Sequence, residues 1–130
     1  MKLLLDTHVF LWYISADPQL PTPFRDAIRD PGNEVYLSVV SVWEAVIKNS
    51  LGRLPLPEDP AKYLPRQREA HQVAPLPLDE SALEHLSSLP PLHRDPFDRI
   101  LVAQAIQHKL SLVTVDDAVR AYPVPILPSA

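Results

Sequence analysis

The stretch KLLLDTHVFLWYIS, residues 2–15, joins a short apolar run to an apolar segment of helical length, with one aspartate between them. Three consecutive leucines between polar residues are typical of a strand that is buried on both faces of a parallel sheet. The segment HVFLWYIS predicts a helix, which Thr7 can cap. Asp6 is therefore expected at the carboxyl end of a buried strand, directly before a helix.

The rest of the chain repeats this alternation of strand and helix. Residues 34–40 (EVYLSVV) and 111–115 (SLVTV) predict strands because β-branched and aromatic residues are common there, and residues 73–78 and 124–127 predict two short ones. Predicted helices cover residues 22–30, 41–52, 61–72, 79–89 and 96–108, with Thr22, Ser41, Asp79 and Asp95 as caps. This order indicates an α/β fold with a mostly parallel sheet, covered by helices on both faces.

Length and composition restrict the class of protein. The 130 residues, 46% of them hydrophobic, suit a single domain over residues 1–130 with a substantial core. No cysteine is present, which excludes disulfides, zinc–thiolate sites and thiol catalysis. A net charge of −4 argues against a protein that coats nucleic acid by bulk charge. Apolar runs are too short for a membrane span or a secretory signal, so we expect a cytoplasmic protein without membrane contact.

Four acidic residues stand where predicted elements meet. Asp6 and Asp116 follow strands, while Glu44 and Asp98 are expected in first helical turns. Each has a structural explanation when it is taken singly. Ser41 with Glu44 forms the pattern of a capping box, Asp98 lies three residues after a cap, and Asp6 and Asp116 can cap the segments that follow them.

Together these acids favour a metal site over four separate caps. Ligands of parallel α/β sheets bind beyond the carboxyl ends of the strands, where two of these carboxylates are predicted. Converging carboxylates repel one another unless cations bind. An all-oxygen cluster suits Mg²⁺ or Mn²⁺ better than zinc. Beside a phosphodiester, such ions can hold the phosphate, activate a water molecule and stabilise the leaving oxygen.

Four stretches resemble, in order and spacing, the motifs of PIN-domain ribonucleases, and more closely those of VapC-type toxins from toxin–antitoxin pairs. They are LLLDTHVFLWYI (3–14), SVVSVWEAVIKNSLGRL (38–54), HRDPFDRILVAQA (93–105) and LVTVD (112–116). The resemblance implies a three-layer α/β/α sandwich, Mg²⁺- or Mn²⁺-dependent endonucleolytic cleavage of RNA, and inhibition by a VapB-type antitoxin. It places the acids of the family's site on Asp6, Glu44, Asp98 and Asp116.

The same resemblance places the family's small hydroxyl on Thr7 or Thr114, and Asp117 is a neighbouring carboxylate whose membership is open. Lys48, one turn after Glu44, either pairs with that acid along the helix or contacts substrate. Arg99 lies beside Asp98 and is a candidate phosphate contact.

Residues that flank the four acids in sequence are weaker candidates for the site. His93 and Arg94 are further candidates for a phosphate contact, and His8 is expected on a helix surface. A homodimer is predicted from the resemblance and from the large apolar residues Phe10, Trp12 and Trp43, which would otherwise leave an exposed patch. Trp12, Tyr13 and Trp43 can alternatively stack on bases.

Two other classes of function compete with the ribonuclease. A small metal-dependent phosphatase also places an acid after its first strand, but it generally has a second aspartate two residues later, where this chain has His8. A non-catalytic interaction module would use the acids to bind structural metal or a basic partner. Incubation of the protein with structured RNA, with and without Mn²⁺, distinguishes these three classes of function.

Overall fold

A parallel sheet runs through the middle of the molecule. The computed structural model describes residues 1–93 and 95–130, and within them the sheet has four strands in the order β3-β2-β1-β4. Their bounds are β1 (Lys2–Leu5), β2 (Glu34–Ser38), β3 (Ala74–Leu76) and β4 (Ser111–Val113). All three strand pairings are parallel. The expected strand at residues 124–127 is reduced to one bridge, between Ile126 and Leu112.

Helices connect the strands and cover both faces of the sheet. They are α1 (Thr7–Ile14), α2 (Thr22–Arg29), α3 (Val39–Ser50), α4 (Pro60–Ala70), α5 (Glu80–Ser87), α6 (Pro96–His108) and α7 (Asp117–Arg120). Six of them match predicted helices, whereas the single turn of α7 was not predicted. None of the helices in residues 1–93 and 95–130 is long and apolar enough to cross a membrane.

The three leucines of β1 divide the core into two halves. Successive side chains of a strand point to opposite faces. Leu3 and Leu5 accordingly pack in one apolar cluster with side chains of α1, α2 and α4, and Leu4 packs in a second cluster with side chains of α6 and α7. All three leucines are completely buried. The predicted three-layer α/β/α sandwich is therefore confirmed.

Three predicted caps are wrong. Strand β2 ends two residues earlier than expected, so Ser38 is the cap of α3 and accepts a hydrogen bond from Val40 N at 3.0 Å. Ser41 is buried inside the helix, which excludes the capping box with Glu44 and moves that acid to the second turn. Thr7 and Thr22 are first helical residues rather than caps.

Three other predicted caps are present. Asp79 Oδ1 accepts from Ala82 N at 3.2 Å, and Asp116 Oδ1 accepts from Ala118 N at 2.9 Å. Asp95 Oδ1 accepts from Phe97 N at 2.9 Å at the start of α6, where Pro96 occupies the first helical position. This cap fixes the first turn of α6, and with it the position of Asp98.

Candidate metal-binding site

The four predicted acids line one cleft at the carboxyl edge of β1 and β4. The cleft has a volume of about 280 Å³. Its lining residues are Asp6, His8, Trp12, Glu44, Lys48, Asp95, Asp98, Val115 and Asp116. Because the two strands are parallel neighbours, the residues that follow them emerge side by side. The sheet thus brings together acids that are more than a hundred positions apart in the chain.

Thr114 connects the two strand-end aspartates. Its hydroxyl donates to Asp6 Oδ2 at 2.7 Å and accepts from the backbone N–H of Asp116 at 3.1 Å. The backbone N–H of Asp6 in turn donates to Val113 O at 2.9 Å. The Thr114 side chain is fully buried, so the spacing between these carboxylates is set by the core of the sheet.

Glu44 is buried and has partners on both carboxylate oxygens. Oε1 lies 2.7 Å from the Thr7 hydroxyl, and Oε2 accepts from Lys48 Nζ. Thr7 Oγ1 is also 2.9 Å from Ser41 Oγ. A hydroxyl has one proton, so Thr7 donates to the carboxylate and accepts from Ser41. This chain of contacts joins the start of α1 to α3.

The Asp98 carboxylate is in contact with the His93 side chain. Its Oδ2 lies 2.9 Å from His93 Nε2, which is also 3.4 Å from Asp116 Oδ2. The backbone N–H of His93 donates to the hydroxyl of the buried Tyr122 at 2.9 Å. One imidazole therefore lies between the acid of α6 and the acid that follows β4.

Electrostatics in the cleft favour protonated or cation-bound carboxylates. Burial raises the pKa of Asp98 to about 7, with further increases from the negative charges of Asp6, Asp95 and Glu44, and the hydrogen bond from His93 offsets part of this. Burial also raises the pKa of Asp6, against the lowering effect of the Thr114 hydrogen bond. Bringing these groups together has a cost that a bound cation would remove.

Lys48 is the basic partner of Glu44. Its partial burial acts to lower the pKa of the ammonium, but the hydrogen bond to Glu44 and the negative charges of Asp95 and Asp98 outweigh that effect and raise it. Lys48 therefore stays charged, and the predicted pair along the helix is present.

Comparison with known proteins identifies the family of this fold and site. The family model described as "PIN domain" matches residues 3–125. This chain belongs to the PIN-domain family. The resemblance seen in the sequence motifs is confirmed.

Two relatives of this PIN-domain chain are ribonucleases of Mycobacterium tuberculosis. Ribonuclease VapC22 is 29% identical over 121 residues, which cover 92% of this chain and 91% of that protein. Ribonuclease VapC16 is 36% identical over 61 residues, or 47% of this chain and 43% of that protein. The chain thus matches less than half the length of VapC16 and nearly all of VapC22.

Solved structures share the PIN-domain fold at low identity. VapBC2 from Rickettsia felis, bound to a DNA fragment from its promoter, aligns with a TM-score of 0.73 and 15% identity over 98% of both chains. VapBC-1 from nontypeable Haemophilus influenzae gives a TM-score of 0.64 and 14% identity over 99% of this chain and 98% of that one. These likenesses confirm the architecture.

The side chains of the PIN-domain cleft fit a divalent cation. His93, Asp98 and Asp116 each offer one ligand atom, and these atoms lie within 4.8 Å of one another. Five acids and one lysine line the described part of the cleft, and such an excess of carboxylates is typical of a cation site. Carboxylate oxygens suit Mg²⁺ and Mn²⁺, and the imidazole adds a nitrogen donor.

Some predicted site residues lie outside this cluster. Asp117 is exposed in the first turn of α7 and does not line the cleft in the described part of the chain. Arg99 lines a separate apolar cavity of about 250 Å³ beside Trp43 and Phe97. Arg94 lies outside the described residues. Phe10 is buried in the core, so its hydrophobicity serves the fold.

His93 was predicted only as a phosphate contact, and the structure places it among the acids. Its sequence signal was weak because it precedes α6, in a segment without periodicity. Its position depends on contacts between distant parts of the chain, among them the one with Tyr122, a residue 29 positions away.

Proposed function

We propose that this PIN-domain protein is a divalent-metal-dependent endoribonuclease that acts as the toxin of a cytoplasmic toxin–antitoxin pair. The observation that carries the proposal is the convergence of Asp6, Glu44, Asp98 and Asp116 on one cleft, where the pKa of a buried aspartate reaches about 7. The ribonuclease names of VapC16 and VapC22 support the substrate class.

Each residue of the cleft has a distinct task in this proposal. Asp98 and Asp116, with Asp6, hold the ion, and Thr114 fixes the orientation of the Asp6 carboxylate through its 2.7 Å hydrogen bond. Bound Mg²⁺ or Mn²⁺ supplies Lewis acidity and an activated water molecule. Lys48 neutralises Glu44, and its partly exposed ammonium can also donate to an approaching phosphate.

Cleavage of RNA with matched variants tests this activity. We expect wild-type protein to cut structured RNA with Mg²⁺ or Mn²⁺ and to stop in chelator. Asp98→Asn should reduce the rate by at least about 100-fold, because even residues behind metal ligands cost 10–100-fold. Asp117→Asn is the control. This aspartate directly follows Asp116 in the chain, but it is exposed and does not line the cleft in the described residues. Full activity of Asp98→Asn, or an equal loss in both variants, contradicts the proposal.

A VapB-type antitoxin is the proposed protein partner. A groove of about 360 Å³ follows α1 and the loop at residues 54–57, and it shares His8 and Trp12 with the acid cleft. An antitoxin segment with an apolar stripe can lie in this groove and direct an arginine or lysine to the carboxylates. The solved VapBC and toxin–antitoxin complexes that share this fold support the kind of partner.

A second copy of the chain is the proposed partner of another surface. Exposed apolar side chains of α3 and α5 lie on either side of the cavity beside Phe97. Trp43, which is 56% exposed, and Leu83 line this cavity, while Val39 and Val46 line a second cavity that also includes Trp43. An apolar patch of this kind favours self-association. Because Phe10 is buried and Trp12 lines the other groove, Trp43 is the residue of the predicted set that supports the homodimer.

A further inference from the structure

We propose that His93 Nε2 is a direct ligand of the divalent ion, and that this nitrogen gives the site a preference for Mn²⁺ over Mg²⁺. The inference rests on the proposed function because the ion is the same one. It adds a ligand that lies outside the four acids and a selectivity that the acids alone do not provide.

Distances between donor atoms carry the assignment. An octahedral ion with ligands at about 2.1 Å separates neighbouring ligand atoms by about 3.0 Å. His93 Nε2 lies 2.9 Å from Asp98 Oδ2 and 3.4 Å from Asp116 Oδ2, so both separations are near that value. Of the described residues, these three are the ones whose donor atoms form a compact group of potential ligands.

The histidine is held in position by the core. Its backbone N–H donates to Tyr122 Oη at 2.9 Å, and the Tyr122 side chain is buried with Leu101 and Val119 in the cluster beneath α6. Asp98 lies in the first turn of α6, where its backbone N–H donates to the Asp95 cap at 3.4 Å. The two ligands are therefore held by separate contacts, His93 through Tyr122 and Asp98 through the first turn of α6, and such support is what a preorganised metal site requires.

The nitrogen donor determines the expected selectivity. Mg²⁺ binds oxygen ligands and gives up its water reluctantly, whereas Mn²⁺ is a transition-metal ion that accepts imidazole more readily. A histidine that merely orients Asp98 by a hydrogen bond would affect both ions alike. Measurements of ion selectivity and of direct coordination therefore distinguish a histidine that binds the ion from one that only orients Asp98.

Electron spin-echo spectroscopy of the Mn²⁺-loaded protein tests coordination directly, since a bound imidazole nitrogen modulates the echo. We expect ¹⁴N modulation in the wild type and its loss in His93→Ala and His93→Gln. His8→Ala is the matched control, because His8 lines the same cleft but lies outside the compact group of potential ligand atoms found among the described residues. By titration, His93→Gln should weaken Mn²⁺ binding at least about tenfold and Mg²⁺ binding much less.

Circular dichroism verifies that each variant is folded, and two substitutions at one site guard against misfolding of either. Absence of ¹⁴N modulation in the wild type, or its loss in His8→Ala alone, overturns the inference. An equal loss of Mn²⁺ and Mg²⁺ affinity overturns the selectivity. RNA cleavage by the same samples keeps the two proposals apart: modulation without cleavage contradicts the ribonuclease, and cleavage without modulation contradicts the ligand.

Discussion

The two sides of helix α3 each carry side chains that are unusual there for a surface helix. Its inner side buries Ser41 and Glu44 beside the acid cleft, while its outer side exposes Val39, Trp43 and Val46. Burial of a carboxylate is costly unless the group is paired, and exposed apolar side chains often mark an interaction surface. Both features agree with the proposals made above, an ion and its substrate on the inner side and a second protein surface on the outer side.

The largest effect is expected from the inner side. Glu44→Gln keeps the volume of the side chain but removes the charge that Lys48 and Thr7 contact. We expect RNA cleavage to fall by about 100-fold, at the upper end of the range for residues that support metal ligands. Initial rates in Mn²⁺ measure this, with Glu84→Gln on exposed α5 as the control. Unchanged cleavage would mean that the buried acid serves the fold alone.

An intermediate effect is expected from the outer side. Trp43→Glu places a charge in the proposed dimer surface, and we expect the dimer dissociation constant to rise at least about 30-fold, because central tryptophans are often worth 2 kcal/mol or more. The fold should persist, since Trp43 is 56% exposed. Sedimentation velocity is the measurement, and Leu51→Glu, at 60% exposure outside this patch, is the control. A wild type that stays monomeric at micromolar concentration refutes the dimer.

Much of this arrangement was predictable from sequence, because strand ends and helix caps are local features. The apolar run before Asp6 and the cap Asp95 placed two acids correctly at element boundaries. The start of α3 was mispredicted because Val39 and Val40 favour strands by propensity, while packing of Val40 in the core under α6 makes them helical. This shift of two residues determines the position of Glu44. Because α3 starts at Val39, Glu44 lies in the second turn and lines the cleft, and it does not take part in a cap.

Contacts between distant elements were not predictable. The positions of His93 and Arg99 illustrate this, since both are close to Asp98 in sequence. His93 contacts Asp98 and Asp116 while its backbone N–H donates to Tyr122, whereas Arg99 lines a cavity with Phe97 of the same helix and Trp43 of α3. Helical spacing separates the side of Asp98 from that of Arg99 only after the start of α6 is known, and it does not apply to His93, which precedes the helix.

A smaller effect concerns stability and pH in metal-free protein. The pKa of Asp98 is about 7 in the folded state against 3.8 as its ordinary value. The folded protein therefore holds a proton that the unfolded chain lacks between these values. Stability should rise as pH falls from 7 toward 4, by at most about 1.4 kcal/mol per pH unit for one proton, and the penalty is fully present above pH 7.

Thermal unfolding in chelator, compared between wild type and Asp98→Asn, isolates this contribution. We expect the variant to be more stable than the wild type at pH 8, by about 4 °C for each kcal/mol, with the difference shrinking toward pH 5. Saturating Mn²⁺ should stabilise the wild type and not the variant, because the ion replaces the proton. Parallel pH profiles in chelator would show that Asp98 ionises normally.

The smallest expected effect connects the cleft to the antitoxin groove. If a basic side chain of the antitoxin occupies the acid cleft, the ion and that side chain compete for the same carboxylates, and Mg²⁺ should weaken antitoxin binding several-fold. Asp6→Ala removes one of these carboxylates together with its bond to Thr114, but leaves the groove along α1 and Tyr63 intact. Its antitoxin affinity should therefore be lower than that of the wild type in chelator and less sensitive to Mg²⁺. Calorimetric titration of both proteins with the antitoxin segment, in chelator and then in Mg²⁺, measures this. If Mg²⁺ leaves the antitoxin affinity of the wild type unchanged, inhibition occurs through binding in the groove and does not involve the acid cleft.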